Sequence, residues 1–118
     1  MFQLKLKSHS INLKWGTWAM REFCLLKGIS LDEYFSVLGS AKLDLDLIVK
    51  LIYAGYTNAC RINKEEVTFN EDDICDWIDE IGGMFVSEGQ LVDYIKYIAE
   101  STILNAQANK KTDNKKKV

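Results

Sequence analysis

Leu47-Ile48-Val49-Lys50-Leu51-Ile52-Tyr53-Ala54-Gly55-Tyr56 is the stretch on which the fold turns. Only Lys50 breaks it with charge, and its apolar character extends from about Asp44 to Arg61. A run of this length makes several helical turns. No run of 18 or more apolar residues occurs anywhere, so no membrane span is expected. A helix apolar on every side is either central to a core or covered in part by a partner. The other elements have to be arranged around it.

Towards the N-terminus, Phe2, Leu4 and Leu6 alternate with Gln3, Lys5 and Lys7, and Ile11-Asn12-Leu13-Lys14-Trp15 alternates again. With Ser8-His9-Ser10 as the turn, this reads as a β-hairpin with one buried face. An isolated hairpin is marginal in water, so it must lie on the helices or pair with another chain. A helix is predicted from Thr17 to Lys27, carrying Trp18, Ala19, Phe23 and Leu26 inward, with Gly28 as its C-terminal stop. Ser30-Leu31-Asp32-Glu33 has the capping-box pattern and opens a short helix ending near Gly39.

Beyond the central stretch, residues 63–70 read as a polar loop. Thr68 or Asn70 caps a helix over 71–81, whose inner stripe is Ile74, Trp77, Ile78 and Ile81 and which Gly82-Gly83 ends. Ser87-Glu88-Gly89-Gln90 resembles a second capping box, opening a last helix over 88–106. The absence of proline fits a helical body. The expected architecture is mainly α (α+β): an N-terminal hairpin packed on about five helices, in one domain over 1–107, with a disordered basic tail over 108–118.

The net charge of −2 conceals an asymmetry. The tail holds five lysines against Asp113, and the remainder holds ten basic residues against sixteen acidic ones. An acidic body disfavours nucleic acid as the main partner, because neutralising phosphates needs a basic surface. Three cysteines, Cys24, Cys60 and Cys75, without a CxxC pair point to reduced thiols used as core filling. Met1–Lys7 alternates instead of forming an apolar block, so no secretory signal is expected.

Candidate chemistry is sparse. Asp72 and Asp76 lie one turn apart and offer the one plausible seat for a hard cation. The competing reading makes them the solvated face opposite Ile74, Trp77 and Ile78, with Asp72 and Asp73 favouring the positive end of the helix dipole. Asp79 and Glu80 sit instead near the C-terminal end, where the dipole disfavours negative charge by up to about 1 kcal/mol. A basic partner would offset that cost. Asp44-Leu45-Asp46 lacks the glycine and glutamate of an EF-hand. His9, the sole histidine, excludes multi-histidine metal sites and reads as a turn residue. No catalytic residue, cofactor or metal is therefore assigned, and the chain is read as non-enzymatic.

What remains is a surplus of apolar helix surface over 44–61 and 88–106, with the tips of Tyr53, Tyr56, Tyr94 and Tyr97 suited to an interface with one wet edge. Burying about 600 Å² of it on a partner supplies on the order of 15 kcal/mol before association costs. Trp15, Trp18, Ile48, Ile52, Tyr56 and Trp77 are the candidate core or partner-binding anchors.

The order of elements carries a resemblance. The hairpin leads into Trp15-Gly16-Thr17-Trp18-Ala19-Met20-Arg21-Glu22-Phe23-Cys24, then Gly28-Ile29-Ser30-Leu31, the stretch Leu47–Tyr56, and an acidic helix around Asp76-Trp77-Ile78. Over residues 2–81 this resembles the tail assembly chaperones of long-tailed phages and prophages. The resemblance implies a non-enzymatic factor of the bacterial host cytoplasm that forms homo-oligomers. It would bind the tape measure protein, keep it soluble, and help the tail tube protein polymerise around it. Many such proteins are also made in a longer, frameshifted form, and Lys110-Lys111 and Lys115-Lys116-Lys117 fall where a slippery A-rich stretch would lie. The alternative is a small structural adaptor, a tail or head–tail component retained in the phage particle.

Overall fold

The computed structural model describes residues 1–39 and 44–101. Strand β1 (Phe2–Lys5) pairs antiparallel with β2 (Ser10–Leu13) in the register Phe2↔Leu13, Gln3↔Asn12, Leu4↔Ile11 and Lys5↔Ser10. The turn lies one step earlier than the sequence reading placed it. Leu6 N–H donates to His9 O at 2.8 Å, and Ser10 already belongs to β2. The alternation sets the inner face: Leu4, Ile11, Leu13 and Trp15 are buried, while Gln3, Lys5 and Lys7 are exposed.

Four helices follow: α1 (Thr17–Lys27), α2 (Leu31–Gly39), α3 (Leu45–Asn63) and α4 (Glu71–Glu80). A fifth, α5, spans 90–101 of the described residues. The structure is thus mainly helical with an N-terminal hairpin, as the patterning predicts. The punctuation is local and reads as written. Gly28 takes φ 68° and closes α1, with Ile29 N–H donating to Cys24 O at 3.0 Å. Ser30 and Glu33 form a reciprocal box, each backbone N–H donating to the other's side chain at 3.3 Å. Of the two candidate caps for α4, Asn70 is the one used. It accepts from Asp73 N–H at 3.1 Å while Asp73 accepts from Asn70 N–H at 2.8 Å.

Helix α3 is central rather than partner-covered. Eleven of its residues are buried, packed against α1, β2, α4 and α5. Three aromatic groups tie the other elements into the core. Trp15, Phe23 and Tyr34 join the end of β2 to α1 and α2, with Trp15 Nε1–H donating to Tyr34 Oη at 3.2 Å. Phe69 and Trp77 close on Tyr56, whose hydroxyl accepts from Thr68 N–H and Phe69 N–H at 3.0 and 3.2 Å. Phe2 packs on Tyr94 and Tyr97.

The chain leaving β2 is pinned to α3: Lys14 N–H donates to Gly55 O at 3.0 Å, and the Asn58 amide donates to Lys14 O at 2.9 Å. Helix α5 also rests on Gly55, where Tyr94 Oη donates to Leu51 O at 2.8 Å. A Cβ at Gly55 would lie 2.1 Å from that hydroxyl oxygen. The capping box expected at Ser87–Gln90 is not the one that forms. Helix α5 starts at Gln90 after Gly89 at φ 113°, and the Gln90 amide turns away from its own helix. It accepts from Lys5 N–H at 2.5 Å and donates to Lys5 O at 2.8 Å, pairing with that one residue on the outer edge of β1 as a neighbouring strand would. Residues 102–106 of the predicted helix and the tail over 108–118 lie outside the described residues.

Lys50, the one charge in the apolar stretch, is half-buried and bridges α3 to α4 through Asp46 at 2.6 Å and Glu71 at 3.1 Å. Hydrogen bonds from Lys50 and Lys27 hold the Asp46 carboxyl below its ordinary 3.8, and the same bond from Asp46 raises Lys50 above 10.5. A depressed carboxyl contributes stability above its unfolded pKa and loses it as pH falls through the folded one. Wild type and Asp46→Asn should therefore differ in thermal midpoint at pH 6, and the gap should close as pH drops below 3.8. The carboxylate is half-exposed, so the gap at pH 6 should be under about 1 kcal/mol. A gap that persists at pH 2 would remove the ion pair as its cause.

Candidate interaction cleft

Most of the anchors nominated from the sequence are committed to the core. Trp15, Ile48, Ile52, Tyr56 and Trp77 are all 5 % exposed or less, which closes them to a partner in this fold. Trp18 alone of the six reaches the surface, half-buried under Arg61. Three of the four tyrosine tips expected at a wet interface edge are also used internally. Tyr94 donates to Leu51 O, Tyr56 accepts from the 68–69 backbone, and Tyr97 Oη accepts from Trp15 N–H at 3.1 Å. The internal packing of α3 and α5 absorbs the apolar surplus that the sequence reading left for a partner.

What stays outside is a different set. Phe85 is 91 % exposed, and Leu45 is about half exposed. These two, with Met84, Ile78, Cys75, Asp44 and Asp79, line a cleft of about 660 Å³ between the start of α3, the outer face of α4 and the segment after it. Each wall has a local cause. Asp44 is the N-cap of α3, its Oδ1 accepting from Asp46 N–H at 3.1 Å, and this holds Leu45 in the exposed first turn. Helix α4 turns Ile74, Trp77 and Ile78 inward, so Cys75 and Asp79 fall on the cleft side. Gly82 and Gly83, at φ 113° and 87°, end α4 and aim Met84-Phe85 back along it, with Gly83 N–H donating to Ile78 O at 2.9 Å.

The cleft has an apolar floor, two carboxylates on its rim and no cation among its lining residues. Asp72 and Asp76 extend the negative surface along exposed α4. Cys75 is exposed here, which corrects the core-filling role expected of it; Cys60 is buried and Cys24 half-buried. Burial raises the Cys60 thiol, and burial with Glu33 nearby raises Cys24. Both are thereby kept protonated and poor nucleophiles. Among the described residues no group of three His, Cys, Asp or Glu side chains is placed to hold a metal ion. Asp73 is spent in the α4 cap, and Glu80 Oε2 accepts from Lys7 N–H at 3.3 Å, which gives that carboxylate a task at the helix end where the dipole disfavours it. His9 stacks on Phe69 at the hairpin turn, its Nδ1 2.7 Å from Ser8 Oγ. No helix among the described residues is long and apolar enough to cross a membrane.

Phe85 escaped the sequence reading. Its only signal is the apolar triplet Met84-Phe85-Val86 bracketed by Gly82-Gly83 and Gly89, a pattern without helical or strand period. Comparisons with protein families, with curated proteins and with solved structures find no match to this chain.

Proposed function

We propose that the protein is a non-enzymatic assembly factor that holds an amphipathic helical segment of a larger protein in the 44/79/85 cleft. The observation that carries this reading is Phe85, a large aromatic side chain with nine-tenths of its surface in water beside an apolar floor. Exposed apolar surface of this kind is a liability unless something covers it. The Asp79 carboxylate favours a segment with a basic residue beside its apolar stripe, whereas Asp44 across the cleft is already paired with Lys27 at 3.7 Å. Together with the resemblance over residues 2–81, this makes the tape measure protein the proposed client and a tail assembly chaperone the proposed role. The client would be kept soluble until tail tube subunits assemble around it.

Co-expression with a tape measure protein of a long-tailed phage tests the proposal. The client should stay soluble only in the presence of this chain and co-purify with it. Phe85→Ser should weaken capture by about tenfold, or about 1.4 kcal/mol. Its thermal midpoint should stay at the wild-type value, since Phe85 makes little contact with the fold. A client that is soluble alone and does not bind would sink the reading. Undiminished capture by Phe85→Ser would move the site away from this cleft. Mass spectrometry of purified particles separates a chaperone, which should be absent, from an adaptor retained in them.

A further inference from the structure

A second pocket, of about 440 Å³, lies on α1 and the C-terminal half of α3 and has the opposite character. Lys14, Arg21 and Arg61 line it, with Trp18 and Ile62 as its apolar walls. In a chain of net negative charge, none of these three cations has a carboxylate within ion-pair distance among the described residues. Lys27 and Lys50 each hold two carboxylates, while Lys5, Lys7, Lys64 and Lys96 stand apart in solvent; what distinguishes the pocket is that three unpaired cations converge on one apolar wall.

Arg61 is set in place in advance. Asn58, 2 % exposed and anchored on Lys14 O, accepts from Arg61 Nε–H and Nη2–H at 3.2 and 2.9 Å. The guanidinium carbon sits 5.0 Å from the centre of the Trp18 ring. One face and one edge of the fork are thus fixed, and among the described residues the Nη1 hydrogens have no partner. A guanidinium ordered before the ligand arrives loses little further freedom on binding, and its planar fork matches a carboxylate. Arg21, one turn along α1 from Thr17, supplies a second fork at the exposed rim. Ile62, 45 % exposed, gives carbon a place to rest beside the charge.

We infer that this pocket binds an acidic peptide segment, a carboxylate taken by Arg21 and Arg61 and a neighbouring apolar side chain by Trp18 and Ile62. The carboxylate source is favoured over free phosphate because most of the lining faces carbon and would be idle against an inorganic ion. The site is separate from the cleft around Phe85, and it requires neither the client proposed above nor any phage component.

The test uses the full chain and a labelled hexapeptide alternating Glu and Leu, followed by fluorescence anisotropy. A peptide with Gln in place of Glu, and inorganic phosphate as competitor, are the controls. The Glu peptide should bind, lose affinity steeply as salt rises, and outbind the Gln peptide at least tenfold. Arg21→Ala and Arg61→Met should each reduce affinity by about tenfold. Arg21 is exposed and outside the core, so its variant reads binding without risk to folding. Equal binding of the Glu and Gln peptides, or no loss in Arg21→Ala, would overturn the inference. Millimolar phosphate displacing the peptide completely would overturn the assignment of the ligand as a carboxylate with an apolar neighbour.

Discussion

Gly55→Ala should destabilise the protein by about 2–4 kcal/mol, although alanine is the better helix former by about 1 kcal/mol. The added methyl would fall 2.1 Å from Tyr94 Oη, far inside contact distance. Tyr94 is buried on every side, so it has no open space to swing into. Its hydroxyl would be pushed off Leu51 O and left buried without an acceptor, costing about 1–3 kcal/mol by itself. Burial also raises this phenol far above its usual range, so losing the proton offers no relief. In a domain of this size the loss corresponds to a thermal midpoint lower by roughly 10–20 °C.

The decisive comparison is the double variant. Tyr94→Phe alone removes one buried hydrogen bond and should cost about 1 kcal/mol. In the Gly55→Ala background the same change removes the clashing oxygen, leaving the ring carbon at 3.3 Å as the nearest atom. There it should restore stability, an interaction of opposite sign to simple additivity. Urea denaturation of the four proteins measures all the terms. If Gly55→Ala is neutral, or the two losses merely add, then α5 does not rest on α3 at this point.

Trp15→Ala should cost about 3–5 kcal/mol, the range for truncating a buried large aromatic. Trp15 is 2 % exposed and holds three elements at once. Its ring stacks on Tyr34 and meets Phe23 edge-on, its Nε1–H donates to Tyr34 Oη, and its backbone N–H donates to Tyr97 Oη. Trp15→Phe keeps most of the carbon contact and should lose only about 1–2 kcal/mol. The pair distinguishes a core role from the partner-anchoring role that the sequence left open. A partner anchor would leave the urea midpoint unchanged in both variants and alter only client capture.

The contrast between Trp15 and Phe85 indicates what sequence reading reaches. Helix ends at Gly28, Ser30, Asp44 and Asn70 were legible because each is decided by a few adjacent residues. The stripes Leu4/Ile11/Leu13 and Ile74/Trp77/Ile78 were legible because a fixed period marks the buried side. Periodicity does not say what covers that side. Of the six residues read as core or partner-binding anchors, five are therefore buried in the core. Contacts between distant positions left no local trace at all: Gly55 is small for the sake of Tyr94, and Gln90 mimics a cap while serving Lys5. Phe85 was missed for the opposite reason, since it belongs to a glycine-bounded segment in which no period exists to be read. The Arg61 pocket needed Asn58 to be seen, and among the described residues Asn58 is the one buried polar side chain in an otherwise apolar run of core positions.

The seal between Gln90 and Lys5 joins positions 85 residues apart. On a ribosome the hairpin is complete long before Gln90 has been made, and for that interval the outer edge of β1 is a bare row of peptide groups. Closing so long a loop is slow compared with forming any of the helices between. Docking of α5 seats Tyr94 at Gly55 and caps Lys5 on the strand edge together. A nascent or partly unfolded chain lacking that helix would present the kind of edge on which other strands pair, so the hazard of misassembly belongs to the newly made protein rather than the finished one.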